Sequence, residues 1–336
     1  MNTILEYIWL DSENKFRSKT RVFYNNIIVS VRDVPRWNYD GSSTNQASTG
    51  SSEIVLKPVF ICPDPFRLQN HYLVYCATYD IFDKPLSNNH YDTANDTFSE
   101  MDEVHYQPWF GMEQEFFICD EDTNVPVNFS YHEKQGKYYC NIDQCPKVER
   151  VIMEEFIQNV IHAGLRLSGI NAEVAPGQWE FQIGPLCGIK IGHHMMMARY
   201  ILNRVAHLHH CRINYDPKPF MHLNGSGCHT NFSTVFTRCK NGLKIIYEYI
   251  DHLKSVHDEC MKSYGDGNKE RMTGHHETAS YDAFTSSVGG RNTSIRIGNE
   301  VAMHECGYFE DRRPSSNCDP YLVSSLIFHH TCTKHD

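Results

Sequence analysis

The chain has 336 residues, with 31 Lys+Arg against 41 Asp+Glu, and so carries a formal net charge of −10 at pH 7. Hydrophobic residues at 40 % and charged residues at 21 % mark an ordinary globular chain, not a disordered or collagenous one. The acidic balance argues against duplex nucleic acid as a partner, which selects a basic stripe, and no 18-residue apolar run is present to span a membrane.

This length exceeds what one hydrophobic core usually fills, so two domains are expected. Residues 4–85 read as strands and turns: 6–11, 26–31 and 72–77 are rich in β-formers, and Asp40-Gly-Ser-Ser-Thr44, Gly50-Ser-Ser52 and Pro63-Asp-Pro65 punctuate them. Residues 88–102 are polar and suit a connection, which separates a first domain, 1–87, from a second, 93–336. Helical spacing follows over 147–163, where Val148, Ile152, Val160 and Ile161 recur and Gly164 offers a stop. Residues 194–211 and 243–264 read the same way, and Asp319-Pro320 looks like an N-cap followed by proline at the first helical position. The expected class is α+β, a small β-rich domain before a larger one with segregated helices.

The thirteen cysteines are odd in number and contain no Cys-x-x-Cys pair, which favours free thiols in a reducing compartment. Residues 1–11 have neither the basic nor the long apolar stretch of a secretory signal, so a cytoplasmic location is expected.

Carboxylates occur where apolar residues would be expected. Trp109-Phe-Gly-Met-Glu-Gln-Glu-Phe-Phe-Ile118 is strand-like, and Glu113 and Glu115, two apart, project from one face. A solvent-facing edge strand would tolerate that pair; a buried strand would need a counter-charge or a metal. Glu173 and Glu180 flank the turn signal Pro176-Gly177 and sit near the two arms of a hairpin among Val174, Trp179, Phe181 and Ile183. Glu310 lies in Gly307-Tyr-Phe-Glu-Asp-Arg-Arg-Pro314, where it could also be a surface charge. His229 follows Asn224-Gly-Ser-Gly-Cys228, whose small residues would let the backbone approach a ligand; a satisfied core histidine is the other reading. Five glutamates and one histidine match hard Mg²⁺ or Mn²⁺ better than zinc or a soft metal. Arg271, Arg291, Arg296 and Arg312 offer planar forks for carboxylate and phosphate oxygens, although any single arginine more often makes surface salt bridges. With no P-loop in the sequence, a bound nucleotide would depend on metals and arginines.

Trp37-Asn-Tyr-Asp-Gly-Ser-Ser-Thr44, Gly111-Met-Glu-Gln-Glu115, Asn171-Ala-Glu-Val174 with Gln178-Trp-Glu-Phe-Gln-Ile-Gly184, Gly227-Cys-His-Thr-Asn-Phe-Ser233 and the 307–314 segment resemble, in order and spacing, the signatures of eukaryote-type glutamine synthetase. The similarity runs from about Tyr7 to Cys332. It implies an N-terminal β-grasp domain on a larger catalytic domain with a curved antiparallel sheet and flanking helices. It further implies a ligase making glutamine from glutamate, ammonium and ATP through γ-glutamyl phosphate, in stacked rings (a decamer) with active sites between subunits.

By the same resemblance, Glu115, Glu173 and Glu180 would hold the metal near glutamate and ammonium, and Glu113, His229 and Glu310 the metal on the ATP phosphates, with two to three Mg²⁺ or Mn²⁺ per site. Asp40 and Ser43, from a neighbouring subunit, would bind and deprotonate ammonium. Glu277 would sit on a flap that closes the site. Asn224, Gly225, Arg271, Arg291 and Arg312 would hold the substrate carboxylate and the transferred phosphoryl group, and Trp109, Asn231, Ser233, Arg296 and Tyr308 the nucleotide. The wording departs from the family's at His275, where an aromatic is common, at 221–227, and at Gly298, where proline is usual and whose absence would leave the segment bearing Arg296 freer.

Overall fold

The computed structural model describes residues 2–24, 30–67, 69–98, 100–127, 129, 136–143, 145 and 147–332. Its first layer is a five-stranded sheet of β1 (Thr3–Leu10), β2 (Phe16–Phe23), β3 (Trp37–Asp40), β4 (Glu53–Pro63) and β5 (Tyr72–Tyr79). The strands run in the order β2-β1-β5-β4-β3, antiparallel except for the parallel pair β1/β5. Alternation along β1 divides its side chains between two cores. Leu5, Tyr7 and Trp9 pack with Tyr39, Ile54, Leu56 and Val74 on one face. Ile8, on the other, joins Cys62, Leu73 and Tyr75 in the core of the larger unit. Burial on both faces is why 6–11 reads as a nearly continuous run of β-formers.

The second sheet holds β6 (Trp109–Asp120), β7 (Leu167–Ala172), β8 (Gln178–Cys187), β9 (Cys211–Asn214), β10 (Cys228–Ser233), β11 (Ser286–Val288), β12 (Ile295–Ile297) and β13 (Phe309–Asp311). Its order is β11-β12-β13-β10-β6-β8-β7, with β9 on the far end of β6, and all its pairs are antiparallel except β11/β12. Nine helices accompany it among the described residues: α1 (Tyr91–Thr97), α2 (Glu100–Tyr106), α3 (Lys147–His162), α4 (Lys190–Leu208), α5 (Gly242–Ser255), α6 (His257–Ser263), α7 (Asn268–Arg271), α8 (Asn299–His304) and α9 (Pro320–Cys332). Helix α4, buried over most of its length, packs on β6, β8 and β9, and α3 and α9 pack on α4. The α+β class expected from the sequence is the class of this structure.

Several expectations are corrected in detail. Residues 26–29 lie outside the described residues, and Val31–Asp33 forms a short 3-10 helix rather than a strand. The polar 88–102 stretch is largely helical, pinned by buried Ala94 and Phe98. The helix expected over 243–264 is two helices, broken at Val256 with φ −112° and ψ 19°. The helix expected over 194–211 begins earlier and gives way to β9 at Cys211. Arg296 lies on β12, paired on both sides, so Gly298 does not loosen it; Gly298 caps α8 with an ordinary φ of −62°.

Beneath β8, the buried Glu149 on α3 accepts the Trp179 indole N–H at 2.7 Å, and its Oε1 has no partner. Burial raises the Glu149 carboxyl to about 7. The folded state therefore holds this proton more tightly than the unfolded chain, so its contribution to stability falls as pH rises from about 4.5 to about 7. Between pH 5 and pH 8 the wild type should lose up to ~3 kcal/mol more stability than Glu149→Gln, whose amide does not titrate. Denaturant unfolding of both proteins at the two pH values checks this; equal losses would refute it.

Candidate active site

Strand β6 builds the floor of the site. Phe110, Met112, Gln114 and Phe116 are fully buried, while Glu113 and Glu115 alternate with them onto the opposite face. The strand is interior, with β10 on one side and β8 on the other, so it is not a solvent-facing edge. Register then brings in the partners: His229 stands opposite Glu113, and Glu180 stands opposite Glu115. On β13, one strand beyond β10, Glu310 faces Asn231. Glu173 follows β7, where the turn at Gly177 (φ +70°) reverses the chain into β8 and its N–H bonds Gln178 O at 2.8 Å.

Two candidate ligand groups result. Glu113, His229 and Glu310 form one and Glu115, Glu173 and Glu180 the other, with ligand atoms in each group within 4.8 Å of one another. His229 Nδ1 is 3.7 Å from Glu113 and 3.5 Å from Glu310. Glu310 is buried, which removes the surface-charge reading.

The electrostatics are strained. Burial, then the charge of Glu173, pushes Glu115 up; burial, then Glu113 and Glu115, does the same to Glu180. Glu173 is also raised, chiefly by burial, and the charge of Glu277 adds to it. Burial and Arg312 hold His229 well below its ordinary value, so its imidazole is neutral and able to ligate. A set of carboxylate oxygens with one neutral imidazole fits a hard divalent cation.

Neighbouring amides orient these side chains. Asn231 Nδ2 donates to Glu113 at 2.7 Å and Asn171 Nδ2 to Glu173 at 3.0 Å. Gln182 donates to Glu180 and, at 2.9 Å, to Asn171 Oδ1, and the Gly227 N–H donates to Glu115. The sequence reading missed the role of Gln182, although its place two residues after Glu180 put both on one face of β8.

The arginines are less open than expected. Arg312 donates to Glu310 at 2.6 Å, to Arg291 O at 3.1 Å and to Glu277 O at 3.2 Å. Arg296 donates to the other Glu310 oxygen at 2.9 Å, and its Nε is buried without a partner. Arg271 is buried and bonded to Asn268 Oδ1 and to the carbonyls of Arg312, Arg313 and Pro314. The space left by Gly225 and Gly227 goes to Arg271, not to an open ligand channel. A Cβ at Gly225 would stand 2.7 Å from Arg271 Cγ, and one at Gly227 2.6 Å from Arg271 Nη2. Asn224 is half-buried beside Gly225, and Arg291 is exposed yet near enough to depress His229.

Trp109 and Tyr308 are exposed rings at this face, and the charges of Glu113 and Glu310 raise the Tyr308 hydroxyl, after burial. Arg238, which the sequence reading passed over, stacks on Trp109 at 4.1 Å and bonds Ser233 Oγ at 2.8 Å. Glu277 tips an exposed loop with φ +62°. Asp40 and Ser43 lie elsewhere: Asp40 ends β3 of the small sheet, and Ser43 is in the short 3-10 helix, Gly41–Thr44, that follows it. There Asp40 accepts from Ser42 Oγ and Ser43 Oγ, each at 2.7 Å, and these bonds hold its carboxyl near 2.

A curved sheet that gathers five carboxylates, one imidazole and several arginines at one face defines an enzyme for anionic substrates and divalent cations. Residues 92–331 match the model of the glutamine synthetase catalytic domain. The chain is 46 % identical over 334 residues to a putative glutamine synthetase of Acanthamoeba polyphaga mimivirus, covering 98 % of this chain and 94 % of that protein. It is 44 % identical to the Saccharomyces cerevisiae glutamine synthetase, covering 98 % and 89 % of the two chains, and 42 % identical to a cytosolic isozyme of Daucus carota, covering 96 % and 93 %. The chain belongs to the glutamine synthetase family, of the eukaryote type, and makes glutamine from glutamate and ammonia. In fold it is similar to solved apo GmaS without ligand (TM-score 0.75, 18 % identity, 98 % of this chain and 77 % of that one).

Proposed function

We propose that the chain couples amide formation to ATP, first phosphorylating the γ-carboxylate of glutamate to γ-glutamyl phosphate, then displacing phosphate with ammonia. The observation that supports this best is the pair of adjoining ligand groups on β6, two residues apart. Glu115, Glu173 and Glu180 would hold one Mg²⁺ or Mn²⁺ and Glu113, His229 and Glu310 another, two to three ions per site in all. When bound, such cations neutralise the phosphate oxygens during in-line transfer. Arg296, with its uncommitted Nε, and Arg312 would steady the phosphates, and Arg291 would meet the transferred phosphoryl group from the solvent side. Arg271 would act on the substrate carboxylate only through the donors its backbone clasp leaves over. Trp109, Asn231, Ser233 and Tyr308, with Arg238 added, would line the nucleotide. The Glu277 loop would exclude water from the acyl phosphate.

Asp40 and Ser43 would bind ammonium in a neighbouring subunit of a stacked-ring decamer, with residues 1–87 and 93–336 as the two domains and a cytoplasmic location. A carboxyl held near 2 is ionised at every working pH, as an ammonium site requires. Asp40→Asn should therefore lower glutamine formation by about tenfold or more while leaving ATP affinity unchanged. Kinetics at varied ammonium and a nucleotide-binding titration check this, and an equal loss of ATP affinity would contradict it.

The test of the whole reading is phosphate release with Mg²⁺, measured with glutamate, ammonium and both together, and with methylamine in place of ammonium. Release that depends on both natural substrates and favours ammonium supports it. Release independent of glutamate, or preference for methylamine, overturns it.

A further inference from the structure

Two adjacent arginines on the exit of β13 point in opposite directions. Arg312 reaches the tip of the 273–281 loop at Glu277 O, 3.2 Å away. Arg313 is completely buried and turns inward, where it grips Asp311 with Nε and Nη2 at 2.9 and 2.7 Å. Its remaining Nη1 meets His257 Nδ1 at 3.2 Å. The other nitrogen of that ring, Nε2, stands 3.0 Å from Tyr281 O, at the base of the same loop. There the chain closes into a neck through Tyr281 N–H to Met272 O at 2.9 Å and a Thr273–Ser280 bridge.

A guanidinium can only donate and a carbonyl can only accept, so the geometry fixes the histidine's state. Nδ1 must accept from Arg313 and Nε2 must carry the proton it gives to Tyr281. The ring is buried against Phe284, and burial with the Arg313 charge keeps it neutral. Arg312 also reaches one ligand group through Glu310, at 2.6 Å, whereas His257 bonds Arg313 and Tyr281.

We propose that His257 is a positioning residue that couples the 273–281 loop to the strand bearing Glu310 and Arg312. It anchors the base of the loop through Arg313 while Arg312 holds the tip, so loop placement and arginine placement change together. The inference rests on the reading that a water-sensitive acyl phosphate forms beneath that loop.

Two substitutions separate the two bonds. The amide oxygen of His257→Asn can stand near Nδ1 and keep Arg313, but it leaves Tyr281 O without a donor. The amide nitrogen of His257→Gln can stand near Nε2 and keep Tyr281, but it leaves Arg313 unsupported. The first should speed hydrogen exchange across 273–281 by about tenfold and raise the ratio of phosphate released to glutamine formed. The second should leave exchange in the loop near wild type, keep the ratio stoichiometric and lower kcat about tenfold. A purely structural role would give both variants the same fall in activity with no change in ratio or local exchange, and that result would overturn the proposal. If the wild type releases no phosphate with glutamate and ammonium, the functional reading fails separately, while the exchange comparison still reports on the tie.

Discussion

Glu180→Ala is expected to abolish glutamine formation while making the metal-free protein more stable. The side chain stands opposite Glu115 on the neighbouring strand, and burial and the like charges of Glu113, Glu115 and Glu173 oppose its ionisation. Removing it relieves that repulsion and should raise the unfolding free energy in EDTA by ~1–3 kcal/mol. The same change takes one donor from its ligand group, so turnover should fall by at least ~1000-fold, equivalent to ~4 kcal/mol of barrier. Activity assays and denaturant unfolding of one preparation test both signs. Retained turnover would remove the metal assignment, and a loss of stability would show that Glu180 is a structural group first.

The largest stability effect should come from Arg313. Asp311 and Arg313 are both completely inaccessible, and the Asp311 carboxylate also accepts from Arg313 N–H at 3.0 Å and from Tyr264 Oη at 3.2 Å. Arg313→Met strands a buried carboxylate and should cost ~3–5 kcal/mol. Replacing Asp311 by leucine in the same chain should recover much of that loss, because the desolvation cost of the pair disappears with it. Unfolding of the single and double variants measures the difference; additive losses would mean the pair is not the source.

The parts of this site that were readable in the sequence are those set by local geometry. Glu113 and Glu115 share a face because strands alternate, and Glu173 and Glu180 converge because Pro176-Gly177 turns a hairpin between them. Asp319 caps α9 as its sequence promised, accepting from Tyr321 N at 2.8 Å and Leu322 N at 3.0 Å. What escaped notice depends on distant partners. The break at Val256 has no glycine or proline to announce it; it starts α6 with His257 in contact with Arg313, fifty-six residues on. Helix α1 carries too few apolar residues for a period to show, being held by contacts of Ala94 and the capping Phe98 with the core. Arg271 looked like a free fork because no sequence pattern records that the carbonyls of 312–314 surround it.

Strand β1 serves two cores at once, and Glu6 on it also bonds Tyr200 and Arg204 of α4 and Arg67, the last at 2.6 Å. A hinge between the sheets would have to expose apolar surface and strand a buried carboxylate in the same movement. Movement during turnover is therefore expected of short surface segments such as the 273–281 loop, and not of a hinge between the two layers.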